Sequence, residues 1–429
     1  MQIRTTTSFK VSNTEIFKQQ MLSWANRFNI CCLLDNHQYS SDYHSVECLL
    51  AIHSVKHVSV AENSLPEIDA FITETNDWIF GHINYDFKNY LETSKSNHFN
   101  GIHFPDLFLF QPETVIELKK DEVTISSLRL FHETIYHSIL EEQVGHNNTL
   151  SCNIQSRFSK KEYIDTIYQL HQNILRGDCY EINFCQEFFS EEAMIDPIQT
   201  YHKLVNISPT PFASYYKWND QYLLCASPER FLKKIGNTII SQPIKGTYKR
   251  DLLDSLNDEK LKQQLQSSEK EKSENVMIVD LVRNDLSKIC EEGTVVAEEL
   301  FGVQSFPQVH QMISTISGEL REEISFTDIL KATFPMGSMT GAPKKRVIEL
   351  IEQYEKTKRG IYSGCVGYVS PDKDFDFNVV IRSIMYNQHQ KYLNYQVGSG
   401  ITFKSKAENE YEECMMKAEA IKKVLQSNT

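Results

Sequence analysis

The amino-acid sequence predicts an α+β protein, in which antiparallel hairpins and helices occupy separate stretches of the chain. Two hairpins carry this prediction, one turning at residues 236–237 and the other at residues 370–374. Two long segments, at about 258–290 and 407–425, instead repeat their apolar residues at helical spacing. Successive strands joined by tight turns pair antiparallel, so a parallel doubly wound sheet is not expected.

The first part of the chain contains short mixed strands and helices and little recognisable chemistry. Residues 78–86 predict a strand that leads into a turn, because a run of aromatic and β-branched residues ends in polar ones. Residues 133–153 are polar, with Gly-His-Asn-Asn at 145–148, so a boundary is expected there. We therefore divide the sequence into an N-terminal subdomain, residues 1–150, and a larger domain, residues 155–427.

After this boundary, a helix is expected to begin at a capping box. Ser159 and Glu162 have the spacing of that motif, and apolar residues follow at positions 164, 167, 170 and 174. Gly177 is expected to end the helix. The further predicted elements are a strand at 180–188, a helix at 197–205, and strands at 215–226, 231–235, 238–244, 360–369, 375–385 and 392–403.

The composition is that of an ordinary globular protein and excludes several classes of function. The 429 residues include 44 basic and 57 acidic side chains, so the formal charge is −13 and no nucleic-acid partner is expected. The N-terminus lacks the apolar segment of a signal peptide, and no apolar run is long enough to cross a membrane. We therefore expect a cytoplasmic protein whose ten cysteines are reduced.

Two predicted helices each place a pair of glutamates three residues apart on one helical face. The pairs are Glu271 with Glu274 and Glu410 with Glu413. Four carboxylates on two facing helices, without cysteine or histidine at matching spacing, suit a hard ion such as Mg²⁺. Two solvated acidic faces are the alternative interpretation, because surface helices are rich in glutamate. The stretch 275–285 favours the metal site, since a simple core helix would avoid its charged residues.

The first hairpin is expected to bring a glutamate and a lysine together. With its turn centred at residue 237, Glu229 lies opposite Lys245, and directly opposed Cβ atoms are about 5 Å apart. A lysine buried there would have a lowered pKa and could act as a nucleophile or a base. A cross-strand salt bridge that contributes little explains the spacing equally well.

The second hairpin and two glycine-containing loops predict places where an anion could bind. A hairpin centred at residue 372 places Tyr362 opposite Arg382, and an arginine beside an aromatic hydroxyl is suited to hold a carboxylate. The loops at 334–344 and 398–400 could present backbone amides to an anion. Neither loop has the spacing of a Walker A or dinucleotide motif, and a helix-start turn also explains the first.

Seven segments of the sequence, taken together, resemble the chorismate-utilising enzymes. They are GDCYEIN (177–183), SPERF (227–231), QPIKGT (242–247), ENVMIVDLVRND (274–285), FPMGSMTGAPK (334–344), RGIYSGCVG (359–367) and GSGITFKSKAENEYEE (398–413). The resemblance covers roughly residues 155–425, whereas the first 150 residues match only loosely. Within the family it is closest to the large subunits, component I, of aminodeoxychorismate synthases.

The resemblance implies an anthranilate-synthase-like fold: two interlocked subdomains with a β-sandwich core flanked by helices, and a cleft that binds chorismate and Mg²⁺. By motif position, Glu274 and Glu413 would bind the ion directly, whereas Glu271 and Glu410 would hold ion-bound water. The metal would bridge to a substrate carboxylate and help the ring lose its C4 hydroxyl. The family's substrate-binding positions fall on Gly246, Thr247, Thr340, Tyr362, Arg382, Gly398, Gly400 and Lys417.

Two positions distinguish the branches of this family. Lys245 stands where anthranilate synthases usually have alanine, and in aminodeoxychorismate synthases this lysine is thought to attack C2 of chorismate. Glu229 would protonate the departing C4 hydroxyl, and ammonia would then add at C4 of the covalent intermediate. Isochorismate and salicylate synthases carry a water-activating lysine at the position of Glu181, so water is not the expected nucleophile.

Other positions depart from the family pattern or concern its partners. Gln311 stands where many relatives have a catalytic histidine, with His310 beside it. Nothing resembles a glutaminase, so ammonia is expected from a separate glutamine amidotransferase subunit or from free ammonium. Without a lyase domain, the expected product is aminodeoxychorismate, the precursor of p-aminobenzoate and folate. The alternatives are anthranilate synthase component I and a non-catalytic chorismate-binding subunit.

Overall fold

The strands and helices of the chain assemble around one large sheet. The computed structural model describes residues 3–39, 43, 46–91, 96–145, 150–306 and 309–426. The strands are β1 (Thr5–Lys10), β2 (Ile30–Asp35), β3 (Cys48–Ser59), β4 (Ile79–Ile83), β5 (Leu107–Lys119), β6 (Glu122–Ser127), β7 (Leu150–Ser151), β8 (Gln155–Ser156), β9 (Glu181–Ser190), β10 (Met194–Ile195), β11 (Phe212–Trp218), β12 (Gln221–Ser227), β13 (Arg230–Ile235), β14 (Thr238–Gln242), β15 (Ile244–Lys249), β16 (Val296–Ser305), β17 (Val309–Glu319), β18 (Gly341–Ala342), β19 (Cys365–Val369), β20 (Phe375–Asn378), β21 (Ser383–Asn387) and β22 (Tyr392–Thr402). The α-helices are α1 (Thr14–Ala25), α2 (Leu65–Glu74), α3 (Lys88–Leu91), α4 (His132–Leu140), α5 (Lys160–Leu175), α6 (Pro197–Ile207), α7 (Ser255–Ser267), α8 (Glu269–Ser287), α9 (Phe326–Thr333), α10 (Lys344–Tyr354) and α11 (Ala407–Lys422).

Strands from the two halves of the chain lie side by side in the same sheet. The N-terminal strand β2 pairs with β3 on one side and with β11, from the second half, on the other. Likewise, β4 lies between β5 and β19. In the described part of the chain this network connects 20 strands, while β7 and β10 form a separate pair. The halves therefore share one hydrogen-bonded framework, which confirms the α+β fold with interlocked subdomains.

Strand β9 separates the two groups of buried apolar side chains that form the core. Its residues Ile182, Phe184 and Phe188 belong to one group. Cys185 and Phe189 belong to the other. Because successive side chains of a strand point to opposite faces, β9 has a core on each side and is buried along its whole length. A polar residue on this strand is therefore held in a dry and rigid setting.

Several predicted elements are confirmed. Helix α5 begins after Ser159, whose hydroxyl accepts a hydrogen bond from the Glu162 N–H at 3.3 Å, as the capping box requires. The chain passes Gly177 with a φ of +83° just after this helix. Strand β4 leads into a short 3₁₀ turn at Tyr85–Phe87, as the sequence predicted. All ten cysteines lie among the described residues, and all are free.

The prediction of one helix at 258–290 is wrong, because the segment forms two helices that meet at Ser268. This residue is the C-cap of α7 and the N-cap of α8, with an extended backbone at φ −68° and ψ 110°. Its hydroxyl accepts a hydrogen bond from the Glu271 N–H at 3.4 Å. Serine competes well for the backbone donors at a helix start, so it ends one helix by capping the next.

Two predicted strands are also broken, and the predicted domain boundary contains a helix. The segment 215–226 belongs to the hairpin β11–β12, and Asn219 in its turn has a φ of +55°. The segment 375–385 is interrupted between β20 and β21. Helix α4 occupies the first part of the predicted boundary, while positions 146–149 lie outside the described residues.

The two hairpins differ in how well the turn position predicted their register. In β19–β20, Gly367 faces Phe377 and Val369 faces Phe375, as a centre at residue 372 requires. In β13–β14, Ile235 faces Thr238, so the centre lies half a residue before position 237. A bulge between Arg230 and Lys233 then shifts the register again. The predicted cross-strand pair of Glu229 and Lys245 is therefore wrong as a matter of strand pairing.

Among the described residues, no helix has both the length and the apolar character that a membrane crossing requires.

Candidate active site

Lys245 pairs with Glu181, a residue 64 positions earlier in the chain. The Lys245 ammonium donates a hydrogen bond to Glu181 Oε1 at 2.5 Å. The side chains of Lys245 and Glu181 are 13% and 2% exposed, so the ion pair is nearly removed from water. Within the described ranges, Glu181 is the only carboxylate within 4 Å of this ammonium. Sequence reasoning assigned the lysine and missed its partner, although a glutamate in an apolar strand is an unusual residue.

The charge of Lys245 is stabilised rather than suppressed. Burial by itself would lower the pKa of this lysine, but attraction to Glu181 and the hydrogen bond to it outweigh burial and raise the pKa. Glu274 and Glu229 add smaller attractions from farther away. The expectation of a lowered lysine pKa is therefore wrong for this structure: the resting lysine carries a proton that it must lose before it can act as a nucleophile.

Glu229 lies close to Lys245, although the two residues do not form the predicted cross-strand pair. Glu229 is 4% exposed, and burial raises the pKa of its carboxyl group to about 7 despite hydrogen bonds from Ser338 and from the Ile244 backbone N–H. Lys245 and Arg382 attract its charge without forming a salt bridge to it. A carboxyl group with a pKa near neutrality can hold a proton and give it up, as a general acid must.

Glycines provide the space in which this ion pair lies. A Cβ atom at Gly400 would be 2.7 Å from Glu181 Oε1 and 2.8 Å from the Lys245 Nζ atom. A Cβ atom at Gly398 would be 2.4 Å from Asn183 Oδ1. Both glycines belong to β22, which pairs with β9 along its length. The backbone of β22 therefore packs directly against the polar side chains of β9, which explains the glycines without a bound anion.

Gly246 follows Lys245 at the bulge of β15 and has a φ of +89°. A Cβ atom there would lie 3.0 Å from Glu271 Oε2, in the first turn of α8. The bulge thus brings the lysine segment against the first predicted pair of glutamates.

The sequence placed Arg382 opposite Tyr362, and both residues lie beyond the paired part of β19 and β20. Arg382 has a φ of +50°. The Tyr362 hydroxyl lies beside Cys185 instead, and burial raises its pKa. Throughout the described part of the chain, no hydrogen-bond acceptor or carboxylate pairs with the half-buried Arg382 guanidinium. Arg382 is therefore available to bind an anionic ligand.

Arg359 connects the segments around this site and was not singled out from the sequence. Its guanidinium forms two hydrogen bonds with Glu355, at 2.6 and 2.9 Å. It also donates to the carbonyl oxygens of Met339 and Asn183, at 2.6 and 2.7 Å. The only available signal was an arginine that opens a family motif and is followed by mostly uncharged residues. Thr340, next to Met339, is fully buried and donates its hydroxyl to the Met336 carbonyl, so its expected substrate contact stays a prediction.

Gln311, at the position of the family's histidine, lies on the same face as the site. It faces Thr247 across β15 and β17, and its amide donates to the Thr247 hydroxyl at 3.3 Å. His310 points the other way, since its Nε2 atom lies 3.0 Å from Asp258 and its Nδ1 atom 2.8 Å from the Ser305 hydroxyl. His310 therefore does not replace the missing histidine at the site.

The four glutamates predicted to hold a metal lie around one lysine. Glu271 and Glu274 on α8, and Glu410 and Glu413 on α11, all raise the pKa of Lys270 against the opposing effect of burial. Burial raises the pKa of both Glu274 and Glu410. Burial would do the same for Glu413, but the attraction of Lys417, whose ammonium lies 2.8 Å away, lowers its pKa. The two helices therefore bring the glutamate pairs to a common region, as the sequence predicted.

Lys417 connects this carboxylate cluster with β22. Besides pairing with Glu413, its ammonium donates to the Gly398 carbonyl oxygen at 3.2 Å. It thereby spans from α11 to the strand that packs against Lys245 and Glu181.

The carboxylates fit Mg²⁺ in kind without forming a complete set of ligands. Within the described residues, no group of three or more acidic, histidine or cysteine side chains could by itself hold a metal ion. Mg²⁺ is usually held by one or two carboxylates together with waters and substrate oxygens, so an open, oxygen-only site suits it. The four glutamates of α8 and α11 are therefore of the kind that an Mg²⁺ site would use.

Comparison with known proteins shows the family to which the sequence is related. The family described as chorismate binding enzyme matches residues 29–423. The chain is 40% identical over 290 residues to the probable chloroplastic aminodeoxychorismate synthase of Oryza sativa subsp. japonica, covering 66% of this chain and 32% of the rice protein. It is 29% identical over 364 residues to aminodeoxychorismate synthase component 1 of Bacillus subtilis (strain 168), covering 81% of this chain and 76% of that protein.

The fold has a counterpart among solved structures. Anthranilate synthase component I from Streptococcus pneumoniae TIGR4 superposes with a TM-score of 0.76 and 24% identity, over 90% of this chain and 95% of that chain. This likeness confirms the anthranilate-synthase-like fold, while the family match extends over both halves of the sequence. The chain therefore belongs to the chorismate-binding enzymes.

Proposed function

We propose that this protein is the large subunit of an aminodeoxychorismate synthase, which replaces the C4 hydroxyl of chorismate with an amino group. The observation that carries the proposal is the buried ion pair of Lys245 with Glu181, with the Glu229 carboxyl group close by. A lysine is positioned in the site to attack a substrate, and a carboxyl group with a pKa of about 7 is available to protonate a leaving group. The rice and Bacillus relatives carry the name of this activity.

The first half of the reaction forms a covalent intermediate on Lys245. The neutral amine attacks C2 of chorismate, the two ring double bonds shift, and the C4–O bond breaks. Glu229 donates its proton to the departing hydroxyl, which leaves as water. In the second half, ammonia attacks C4, the bond between C2 and the lysine nitrogen breaks, and the added nitrogen returns a proton to Glu229.

Charged groups around this pair orient the substrate. Arg382 has a free guanidinium that would bind one substrate carboxylate. The glutamates of α8 and α11 would hold Mg²⁺, which when bound supplies positive charge for the other carboxylate and for the developing charge on the leaving oxygen. The missing side chain at Gly400 leaves room for the ion pair of Lys245 with Glu181.

Ammonia would be supplied by a glutamine amidotransferase partner or taken up as free ammonium. The names of the Bacillus relative, component 1, and of the superposed structure, component I, support a two-component enzyme. The product would then serve p-aminobenzoate and folate synthesis. The second candidate is an anthranilate synthase component I, favoured by the structural likeness, but the lysine at position 245 argues for the first.

The product decides between these functions. Purified protein would be incubated with chorismate, Mg²⁺ and ammonium at alkaline pH. The products would then be separated and identified by their masses in a mass spectrometer. Aminodeoxychorismate, which an added lyase converts to p-aminobenzoate, is the expected result. Anthranilate would show that the enolpyruvyl group is lost and would assign the second function. Chorismate left intact, with ammonium and with an added amidotransferase, would exclude both.

A further inference from the structure

A strand residue outside the expected catalytic set is built into the reacting centre. Glu181 is 1% exposed, and its Oε1 atom accepts the hydrogen bond of the Lys245 ammonium at 2.5 Å. Its second oxygen, Oε2, is buried and has no hydrogen-bond partner among the described residues.

The backbone around Glu181 holds this contact in place. Glu181 faces Thr402 of β22 on one side and Ala342 of β18 on the other, so its strand is paired on both edges. Gly400 approaches so closely that an added Cβ atom would lie 2.7 Å from Oε1. The backbone of β22 therefore limits the movement of the Glu181 side chain on that side, and the hydrogen bond to Lys245 provides a short, preorganised proton path.

The other nearby carboxyl groups are less suited to deprotonate Lys245. Glu274 and Glu229 influence the lysine only through longer-range attraction, and neither makes a salt bridge with it in the described part of the structure. Glu229 must also keep a proton for the leaving hydroxyl, which its raised pKa of about 7 allows. One group cannot accept the lysine proton and donate another in the same step, so the two tasks need two carboxyl groups.

From this geometry we propose that Glu181 is the general base that activates Lys245 for attack on the substrate. This inference rests on the proposed function. One Nζ–H bond of the ammonium breaks, and its proton moves to Glu181 Oε1. The freed electron pair forms the Nζ–C2 bond, while the C4–O electrons leave with the hydroxyl that Glu229 protonates. After ammonia has added at C4 and the Nζ–C2 bond has broken, the Lys245 amine takes its proton back from Glu181.

This assignment divides acid and base between two strands of the sheet. Glu181 at the start of β9 accepts the first proton, and Glu229 just before β13 donates the second. The same division explains why Lys245 can rest as an ammonium and still act as a nucleophile. The proton acceptor is already hydrogen-bonded to it when the substrate arrives.

The test is the rate at which the lysine adduct forms without ammonia. Wild-type protein and the Glu181→Gln variant would be mixed with chorismate and Mg²⁺, and samples would be quenched at intervals. Intact-protein mass spectrometry would give the fraction of protein that carries the adduct. We expect the Gln variant to form the adduct about 10²–10³-fold more slowly, because an amide accepts the hydrogen bond and cannot accept the proton. Chorismate affinity, measured by calorimetry, should change by less than about threefold, since the amide keeps the contact with Lys245.

Two further comparisons separate a base from a structural partner. Glu181→Asp and Glu181→Asn have nearly the same size, so only the aspartate should regain adduct formation, by at least about tenfold over the asparagine. The matched control is Glu187→Gln, which removes a buried ion pair with Arg157 farther along β9 and should leave the adduct rate unchanged. The comparison of Glu181→Asp with Glu181→Asn still tests the base assignment if the Glu181→Gln variant does not fold.

Each result has a definite reading. Equal adduct rates for wild type and Glu181→Gln, or for the Asp and Asn variants, would overturn the base assignment and leave the covalent route intact. Absence of any adduct in the wild-type protein, together with normal product formation, would instead overturn the covalent part of the proposed function.

Discussion

Two clusters of charge lie close together in this protein and are built in opposite ways. Lys245, Glu181 and Glu229 are carried on or beside strands and are largely removed from water, and the backbone of β22 at Gly400 lies close to the ion pair. The glutamates of α8 and α11 are carried on helices and stay partly open to solvent, with the Glu274 and Glu413 side chains 20% and 48% exposed. The first cluster contains both signs of charge, whereas the second is mainly negative and is balanced by Lys270 and Lys417.

The difference concerns how far the charges of each cluster are compensated before any ligand or metal ion binds. In the buried cluster the charge of Lys245 has a built-in partner in Glu181, so the chemistry of this pair is set by the fold and responds little to salt. In the open cluster the carboxylates repel one another, and an added cation would complete the balance. The same protein thus combines a preorganised proton-transfer site with a site whose charge depends on what binds there.

The largest effect is expected from removing the central charge of the buried cluster. Lys245→Ala should lower the rate of product formation by about 10³-fold or more, because the nucleophile is lost. Chorismate binding, measured by calorimetry, should persist, since Arg382 and the carboxylate cluster are untouched. Lys217→Ala is the matched control, because that half-buried lysine donates to the Asn26 carbonyl oxygen far from the site. Unchanged activity of Lys245→Ala would make the lysine structural.

The open cluster should respond as a metal site. Glu274→Ala and Glu413→Ala should each abolish the dependence of the rate on added Mg²⁺ and lower activity by about 10²-fold or more. The measurement is the initial rate as a function of Mg²⁺ concentration. Glu269→Ala on the same helix is the control, since its side chain is 90% exposed. A rate that still rises with Mg²⁺ in both cluster variants would contradict the ligand assignment.

Glu229, the general acid of the buried cluster, should determine how the rate of adduct formation depends on pH. Burial raises the pKa of Glu229 to about 7, so the group is protonated below that pH and loses its proton above it. The rate of adduct formation should therefore fall as the pH rises through about 7. Glu229→Gln should slow the reaction by about 10²–10⁴-fold and remove this limb of the pH profile. An unchanged profile in the variant would assign the titration to another group.

The smallest effect concerns the counter-ion of the open cluster. Lys270 lies 3.9 Å from Glu274 and is 62% exposed, so its attraction is strongly screened. Lys270→Gln should tighten Mg²⁺ binding by about two- to fivefold, and more at low salt, because a competing positive charge is removed. Calorimetric titration with Mg²⁺ measures this, with Lys272→Gln on the same helix as the control. Weaker binding by Lys270→Gln would show that the lysine supports the site.

The two clusters also differ in how well they could be predicted from the sequence. The glutamate pairs follow from spacing within one helix, and a helical face is determined locally by 3.6 residues per turn. The pairing of Glu229 with Lys245 depended on a hairpin register, and one half-residue error in the turn plus one bulge removed it. The second hairpin kept its register because no bulge interrupts β19 and β20, yet both strands end before Tyr362 and Arg382.

By itself, the sequence determined the α+β class, the capping of α5 and the glutamate pairs. These features depend on residues that are neighbours along the chain or along one element. Only the tertiary structure decided that Lys245 pairs with Glu181, that Arg359 connects Asn183 with Met339, and that Gly400 lies against the ion pair. Those contacts join distant segments through the packing of a shared sheet, and local spacing carries no information about which buried charges that packing brings together.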